Sequence, residues 1–480
     1  MSVDSYDVVV VGGGSGGLGA AISASRLGCK VLLLEKANEL GGTAVHAGVN
    51  CWEPGVGGTG VPFEIYRRLV SVHQAVGIYS FGRHGCWSAP QGQPRYPGGE
   101  ALQDPARSYA DTLRRFGAGA FRHSEAFIRK HWHGVVFEPD AYIKVVNEML
   151  AEARCAVLVN TAFRHAEIRN DRVVCLELND GRVVHGKLFI DSTGDACLAK
   201  ACGCRVILGQ DSFADYAERD APATRSCQLN GVSLLFRVRV RNVRRVDSLP
   251  DDVPATCWWS DHFPNMSVFQ YPNSDLSLNM LPTMKGNEAI ELGPDRAYHE
   301  CLRRTRAQWH HCQMTFPEFQ QYHIVWTAPT LGVRESHRIV GRYVLTEHDL
   351  LAGLSDQVHD DIIAIADHAM DTHGGPDSRC GELSQPYGIP YRCLLPEGIT
   401  NLIVACRGAS FSSIAASSCR LSRTMFCLGQ AAGSAAALAL QQNVDPSEVD
   451  IVQLRDLLGR QHIQLHWPIE EDIRSHIGTT

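Results

Sequence analysis

Asp7-Val8-Val9-Val10-Val11-Gly12-Gly13-Gly14-Ser15-Gly16-Gly17-Leu18 reads as a buried strand that runs into a glycine turn and then a helix. The β-branched run suits a strand covered on both faces. Residues 18–27 are small and apolar with helical recurrence, and Val31-Leu32-Leu33-Leu34 reads as a second buried strand ending at Glu35. Gly12, Gly14 and Gly17 stand in GxGxxG register, and the acid follows at the distance a dinucleotide-binding βαβ unit requires. Each part has a task. Gly12 permits the tight turn, Gly14 lets a pyrophosphate approach the backbone, and Gly17 lets helix and strand pack closely. The helix N-terminus offers unpaired N–H groups and partial positive charge to the diphosphate. Glu35 can accept both ribose hydroxyls, and its charge would repel a 2′-phosphate.

The same stretch also fits GxSxG, the nucleophile elbow of hydrolases, with Ser15 at its centre. That elbow needs several earlier strands. Ser15 follows the first one, which excludes the reading.

The 480 residues suffice for roughly three average domains. With 44% hydrophobic and 20% charged residues and no biased tract, the chain can bury sizeable cores. A net charge of −7 and a pI near 6.3 leave no footprint for nucleic acid or an anionic membrane. The 45 basic residues, only 7 of them lysine, form no run. Seventeen cysteines are scattered from Cys29 to Cys427 without a CxxC pair. That spacing argues against a disulfide scaffold, a zinc ribbon or an iron–sulfur site, and for free thiols in a reducing cytoplasm. The N-terminal MSVDSYD lacks a cationic region, and no stretch approaches the ~20 apolar residues of a membrane span. A cytoplasmic protein is expected.

Three further segments favour FAD over NAD. Gly41-Gly42-Thr43-Ala44 follows the second strand where a nicotinamide domain would continue into its next helix. Residues 182–190 lead a strand into Asp191-Ser192-Thr193-Gly194-Asp195. Asn401-Leu402-Ile403-Val404-Ala405 runs through Cys406-Arg407-Gly408 into a loop and a long helix around Gly429 and Gly433. With the segments 332–340, 386–390 and 450–465, these motifs resemble, in order, the FAD-dependent oxidoreductases of the glutathione-reductase-like superfamily. Within it they are similar to the group related to succinate dehydrogenase and fumarate reductase flavoproteins. Residues 215–325 carry no such likeness.

The resemblance implies an α/β fold: a Rossmann-like FAD/NAD(P)-binding domain of glutathione-reductase type with an inserted α+β substrate domain. It also implies the cofactor contacts. Gly12, Gly14, Ser15 and Gly17 would hold the diphosphate, and Glu35 and Lys36 the adenosine ribose. Gly42 and Thr43 would lie along the diphosphate and ribityl chain, and a backbone group near Ala162 would meet the adenine edge. Thr193, Gly194 and Asp195 would form the second FAD loop. The helix starting near Arg420 and Leu421 would aim its amides at the flavin pyrimidine. Arg407 stands, after Cys406, where relatives carry Gly-Arg or Gly-Asp. In the succinate dehydrogenase branch a histidine tethers the flavin; His46 lies off that register, so non-covalent FAD is expected.

The FAD domain is expected from residues 1–60, 130–215 and 385–445. The Gly/Pro/aromatic-rich segment 82–105, within the insertion 61–129, reads as a surface loop or a lid, with 216–384 as a roof over the flavin and 446–480 as a helical tail. In the roof, Arg334 or His337 would face the flavin and bind an anionic or hydroxylic substrate, with His337 as a base. The alternative is an ion pair of Arg334 or Arg338 with Glu335. His46 and Cys51 are candidates for the flavin face, and Arg420 for a charge partner of flavin or substrate. Trp258, Trp259, Trp309 and Trp326 could stack on a ring or pack in the core. His131, His133, His310 and His311 lack a third ligand at metal spacing, so no metal is expected.

With no second dinucleotide fold and no CxxC relay, the expected reaction is hydride removal from an alcohol, amine or activated C–H to flavin N5, a base taking the proton. Oxygen, a quinone or a redox partner would accept the electrons. Reduction of an activated C=C bond with arginine as acid, and a non-redox flavoprotein or subunit of a larger complex, are the alternatives. A small-molecule substrate and a homodimer through the roof are the expected partners.

Overall fold

The computed structural model describes residues 4–81, 100–113, 116, 125–373 and 380–478. Most of the segment expected as a lid, 82–99, lies outside the described residues.

Strand Asp4–Val11 sits between Val31–Leu34 and Val183–Asp191, parallel to both. Ala156–Leu158 extends the sheet beyond Val31–Leu34, and Leu402–Val404 pairs with the end of Val183–Asp191. Arg172–Leu178 and Phe163–Arg169 add an antiparallel ribbon. The register sets Val11 beside both Leu34 and Asp191, and Asp191 beside Val404. Leu158 stands beside Leu34, so five parallel strands end at one edge, the place where open parallel sheets bind ligands.

Helix Ser15–Arg26 leaves this edge and packs along Ser422–Gln442. Only small residues permit that approach. A Cβ on Gly429 would stand 2.0 Å from the Gly16 carbonyl oxygen, and one on Gly433 would stand 2.3 Å from that of Ala20.

The second sheet has eight strands, in the order Tyr322–Thr327, Phe236–Val240, Leu276–Leu281, Asn265–Gln270, Glu100–Gln103, Val76–Phe81, His133–Phe137 and Cys51–Trp52. Helix Pro294–Thr315 covers it through Trp309 and Cys312, which join Phe236, Val268 and Leu278 in one apolar cluster. Boundaries at 60/61 and 129/130 cut across this sheet, because Cys51–Trp52 and Val76–Phe81 both pair with His133–Phe137. Strand Arg338–Ile339 pairs back onto Val206–Ile207, and Ile362–Ala366 pairs with Tyr387–Pro390 in the main core. Much of the segment after 337 thus packs with the first sheet rather than in the roof. Local patterning could not reveal strands contributed to a sheet from such distant positions.

Gly429→Val is expected to destabilise the protein by about 1–3 kcal/mol through overpacking. Gly459→Ala, where a methyl would meet nothing within 4 Å, is expected to stabilise helix Ile451–Arg460 by about 0.5–1 kcal/mol. Urea unfolding of the two variants checks both signs.

Candidate active site

The edge where the parallel strands end opens into a cavity of about 1900 Å³ roofed by the second sheet. Pockets for drug-sized ligands usually measure about 300–1,000 Å³, so this one can take a dinucleotide and a further molecule.

Gly12 has φ +105°, and a Cβ there would lie 2.3 Å from the Ser192 carbonyl oxygen. A Cβ on Gly17 would lie 1.7 Å from the Gly12 oxygen. Gly14 differs: its Cβ would meet only the Gly42 Cα at 3.8 Å, which leaves its face open to the cavity. Ser15 begins the helix, and no side chain caps it at Gly14, so its first amides stay available to an anion.

Glu35 ends the second strand and accepts the Gly13 N–H at 2.6 Å and the Ala37 N–H at 2.8 Å. Both its oxygens are thus used to fix the glycine turn, a task the expectation of two ribose contacts did not include. Lys36, Gly42 and Thr43 line the cavity. So does Ala162, but its N–H donates to Asn179 Oδ1 at 3.3 Å and its carbonyl accepts the Asn179 N–H at 2.8 Å. An adenine edge at Ala162 would compete with Asn179. The Thr193 hydroxyl donates to Asp191 at 2.8 Å and accepts the Cys197 N–H at 2.9 Å, so it holds the loop together.

Asp195 accepts from Arg407 at 2.7 Å and from Ser336 at 2.5 Å. Burial raises its pKa, but Arg407 and Ser336 outweigh it and hold the carboxyl below the usual range. The Arg407 Nε is buried without a partner. Across the cavity, helix Ser422–Gln442 starts after Leu421 with no side-chain cap, and Leu421, Ser422 and Thr424 line the space. An open glycine face, two uncapped helix starts and an orphaned guanidinium nitrogen fit a group with a diphosphate and an electron-poor ring.

Beyond this cradle the roof gathers a charged cluster. Arg334 donates to the Gly231 carbonyl at 2.7 Å and to Ser233 Oγ at 3.0 Å through one nitrogen. Arg420 donates to Asp371 at 3.1 Å, and its Nε is buried without a partner. Burial and then Arg420 lower Arg334 to about 10. His373 Nε2 lies 2.6 Å from the same Asp371, and His368 Nε2 lies 3.2 Å from Glu53. All six side chains line the cavity.

Burial opposes the charge of Asp371, but His373 and Arg420 hold it well below the usual carboxylate range. Burial lowers His373, and Arg334 and Arg420 add to this against the Asp371 bond. Burial would also lower His368, but Glu53 and Asp371 outweigh it and raise that ring.

Glu335 pairs with Arg338 at 2.5 Å, which leaves Arg334 outside that ion pair. His337 lines the cavity beside Asp195, with Nε2 3.1 Å from Lys200 Nζ; burial and Lys200 lower it. His337 thus belongs to the Asp195 group rather than to the Arg334–Arg420 cluster. His46 turns its ring to the Glu39 carbonyl at 2.9 Å. Burial, aided by Glu53, pushes the Cys51 thiol far up, so it stays protonated. Of the tryptophans, Trp309 is core, Trp258 bonds Glu300, and Trp326 lines the cavity. His133 bonds Ser80 and the Lys130 carbonyl.

Glu53, His368, Asp371 and His373 were not foreseen. For the last three the signal was the density of titratable residues in Asp367-His368-Ala369-Met370-Asp371-Thr372-His373, directly after an apolar strand; Glu53 had none.

Residues 7–458 match the family described as FAD dependent oxidoreductase, and the chain belongs to it. It is a flavoenzyme with FAD as cofactor. Curated relatives match over short stretches. Dihydrolipoyl dehydrogenase of Trypanosoma brucei brucei is 58% identical over 43 residues, 9% of either chain. Glutathione reductase of Debaryomyces hansenii is 50% identical over 49 residues, 10% of either chain. The matches therefore span about a tenth of those relatives' length. Among solved structures, a geranylgeranyl bacteriochlorophyll reductase-like protein from Thermoplasma acidophilum aligns with TM-score 0.45 at 13% identity, covering 100% of this chain and 97% of that one. A myxobacterial chondrochloren halogenase aligns with TM-score 0.44 at 12% identity, covering 96% and 79%. No helix among the described residues is long and apolar enough to cross a membrane.

Glu35→Ala is expected to weaken FAD binding about tenfold or more, since it leaves two turn amides without their acceptor at a cost of about 1–3 kcal/mol. Quenching of FAD fluorescence on reconstitution of the apoprotein measures it.

Proposed function

We propose that this flavoenzyme moves a hydride between a C–H bond of a small organic substrate and the flavin, with His373 as the base that takes the accompanying proton. The observation that carries this reading is the His373–Asp371 pair, set beside Arg334 and Arg420 in the same cavity as the open glycine face. FAD supplies the hydride acceptor. Gly12, Gly14 and Ser15 would hold its diphosphate, with Gly17 packed against the Gly12 carbonyl rather than lining the cavity, and Lys36, Gly42, Thr43, Gly194 and Arg407 would flank it. The helix start at Leu421 would face its pyrimidine. The ring of His46 is engaged with the Glu39 carbonyl, which supports non-covalent attachment.

Asp371 holds the Nε2–H of His373, which leaves Nδ1 as the lone pair that accepts a proton. Arg334 and Arg420 orient an anionic or hydroxylic substrate, because their remaining nitrogens have no partner among the described residues. The alcohol, amine or activated carbon is a small molecule, and the same reading puts the enzyme in a reducing cytoplasm, supported by the free thiols of the described residues.

The lowering of Arg334 to about 10 favours a second reading, in which it donates a proton as an activated C=C bond is reduced. The direction of flow separates the two. The first has the oxidised enzyme bleached by a donor, and the second has the reduced enzyme recoloured by an electron-poor alkene.

Anaerobic titration of the holoenzyme with polyols, amines and hydroxy acids tests the proposal: bleaching by one class supports it, and bleaching by none overturns it. His373→Gln is expected to slow bleaching about 10²–10⁴-fold. The base must be neutral, and burial with the two guanidinium groups holds His373 below the ordinary histidine range, so the acid limb of the rate profile falls below about pH 6.5. Asp371→Asn removes the carboxylate that raises His373 and is expected to move the limb lower still. Stopped-flow reduction rates between pH 4.5 and 9 check both shifts.

A further inference from the structure

The cavity has one charged end and one apolar wall, and the two are contiguous. The charged end is the Arg334–Arg420 pair. The only bonds of Arg334 are to Gly231 and Ser233, and the only one of Arg420 is to Asp371, among the described residues. Two neighbouring guanidinium groups with donors unspent, one of them a buried Nε, form an unmet anion site.

The wall begins at the same residue that anchors Arg334. Ser233 bonds the Met280 carbonyl at 2.9 Å, which places Val232 and Leu281 beside it on the lining. It continues through Leu235 to Trp326. A Cβ on Gly48, at φ +73°, would stand 3.0 Å from Leu235 and 3.1 Å from the Trp326 ring. Trp326 and the loop residues Gly42 and Thr43 line the same cavity. The segment after Trp326 is tied there too: the N–H and hydroxyl of Thr330 donate to the His46 carbonyl at 3.1 and 3.0 Å.

We infer that the substrate is an amphipathic anion: a carboxylate or similar group held by Arg334 and Arg420, attached to an apolar ring or chain that lies on Val232, Leu235, Leu281 and Trp326. The inference deepens the proposed reaction and rests on that reading for the place of the reacting carbon. It narrows the substrate class by excluding polyols and short hydroxy acids. Those would leave the wall wet, and the apolar area it offers would go unburied. It also excludes neutral hydrocarbons, which would leave the remaining donors of Arg334 and Arg420 desolvated without an acceptor.

The test uses the holoenzyme, with flavin content fixed by absorbance, and sodium phenylacetate as probe. Acetate and 2-phenylethanol are its two halves. Calorimetric titration at constant ionic strength is expected to give a dissociation constant for phenylacetate at least tenfold below that of either half. Arg420→Gln is expected to weaken phenylacetate at least tenfold and leave 2-phenylethanol unchanged. Trp326→Ser is expected to weaken both aromatic ligands and leave acetate unchanged. Arg334→Gln serves in place of Arg420→Gln where that variant loses flavin.

Phenylacetate no tighter than acetate overturns the apolar end, and phenylacetate no tighter than 2-phenylethanol overturns the anionic end. Binding of none overturns the inference as a whole. An enzyme that polyols bleach but phenylacetate does not bind overturns this inference alone. One that binds phenylacetate in the expected pattern, yet is bleached by no donor, overturns only the proposed reaction.

Discussion

The site depends on backbone touching backbone at one edge of the parallel sheet. Gly16 and Gly17 are the extreme positions, where a Cβ would stand 1.9 Å from the Ala405 oxygen and 1.7 Å from the Gly12 oxygen. Because those contacts tolerate no side chain, the first helix stays against both the first strand and the last. The loops after Val11, Leu34, Asp191 and Val404 are then brought around one space. Hydrogen bonds lock the arrangement: Glu35 ties the glycine turn to the second strand, and the Ser192 hydroxyl donates to the Ala405 carbonyl at 2.7 Å. A dinucleotide site results from close approach before any side chain recognises it.

The roof is joined to this edge by one buried cation. Arg338 is 1% exposed and donates to the Phe411 and Gly209 carbonyls at 2.9 and 2.8 Å, while pairing with Asp211 and Glu335. Glu335 in turn accepts the Asn230 N–H at 3.0 Å, and Asp211 accepts that of Ser413 at 2.8 Å. A buried pair of this kind adds little net stability over an apolar substitute, yet removing one partner is costly. Its consequence here is positional. Arg338 spends its charge within the protein and occupies Glu335, so Arg334, four residues earlier, keeps unspent donors at the cavity. Ser336 and His337 turn to Asp195 and Lys200 instead. One short segment thereby serves the cofactor loop and the substrate space at once.

The sequence made the cofactor half legible because it is written locally. A strand, three glycines in register and an acid lie within thirty residues, and the geometry of Gly12 and Gly17 follows from that spacing alone. Sequence also carried the helix after Leu421 and the loop at Thr193–Asp195. What it did not carry is whose side chain meets whose. Glu35 was legible as an acid but not as the acceptor of its own turn amides, since the Gly13 contact arises only when the second strand is paired. Ala162 was legible as a loop residue but not as a partner of Asn179. The second sheet was legible only in part: the α+β insert expected at 216–384 supplies half of its strands, but those at 51–52, 76–81, 100–103 and 133–137 join it from outside that range.

The same limit explains why the Asp371–His373 pair was not foreseen. His337 stands in a motif with two arginines and drew attention as a base, whereas Asp371 and His373 stand in a segment with no recognisable pattern. Fold topology decides between them. Strand Ile362–Ala366, paired with Tyr387–Pro390, delivers residues 367–373 beneath the roof, where Asn230 fixes them through the His373 N–H at 2.7 Å. There the imidazole meets a carboxylate on one nitrogen and two guanidinium groups through space, an environment that keeps it neutral and oriented. His337 meets an ammonium group instead. A histidine whose neighbour is cationic is equally neutral, but it lacks the acceptor that would fix its tautomer and stabilise the proton it gains. The carboxylate partner, absent from the sequence motif and supplied only by the fold, is what sets His373 apart from His337 as the proposed base.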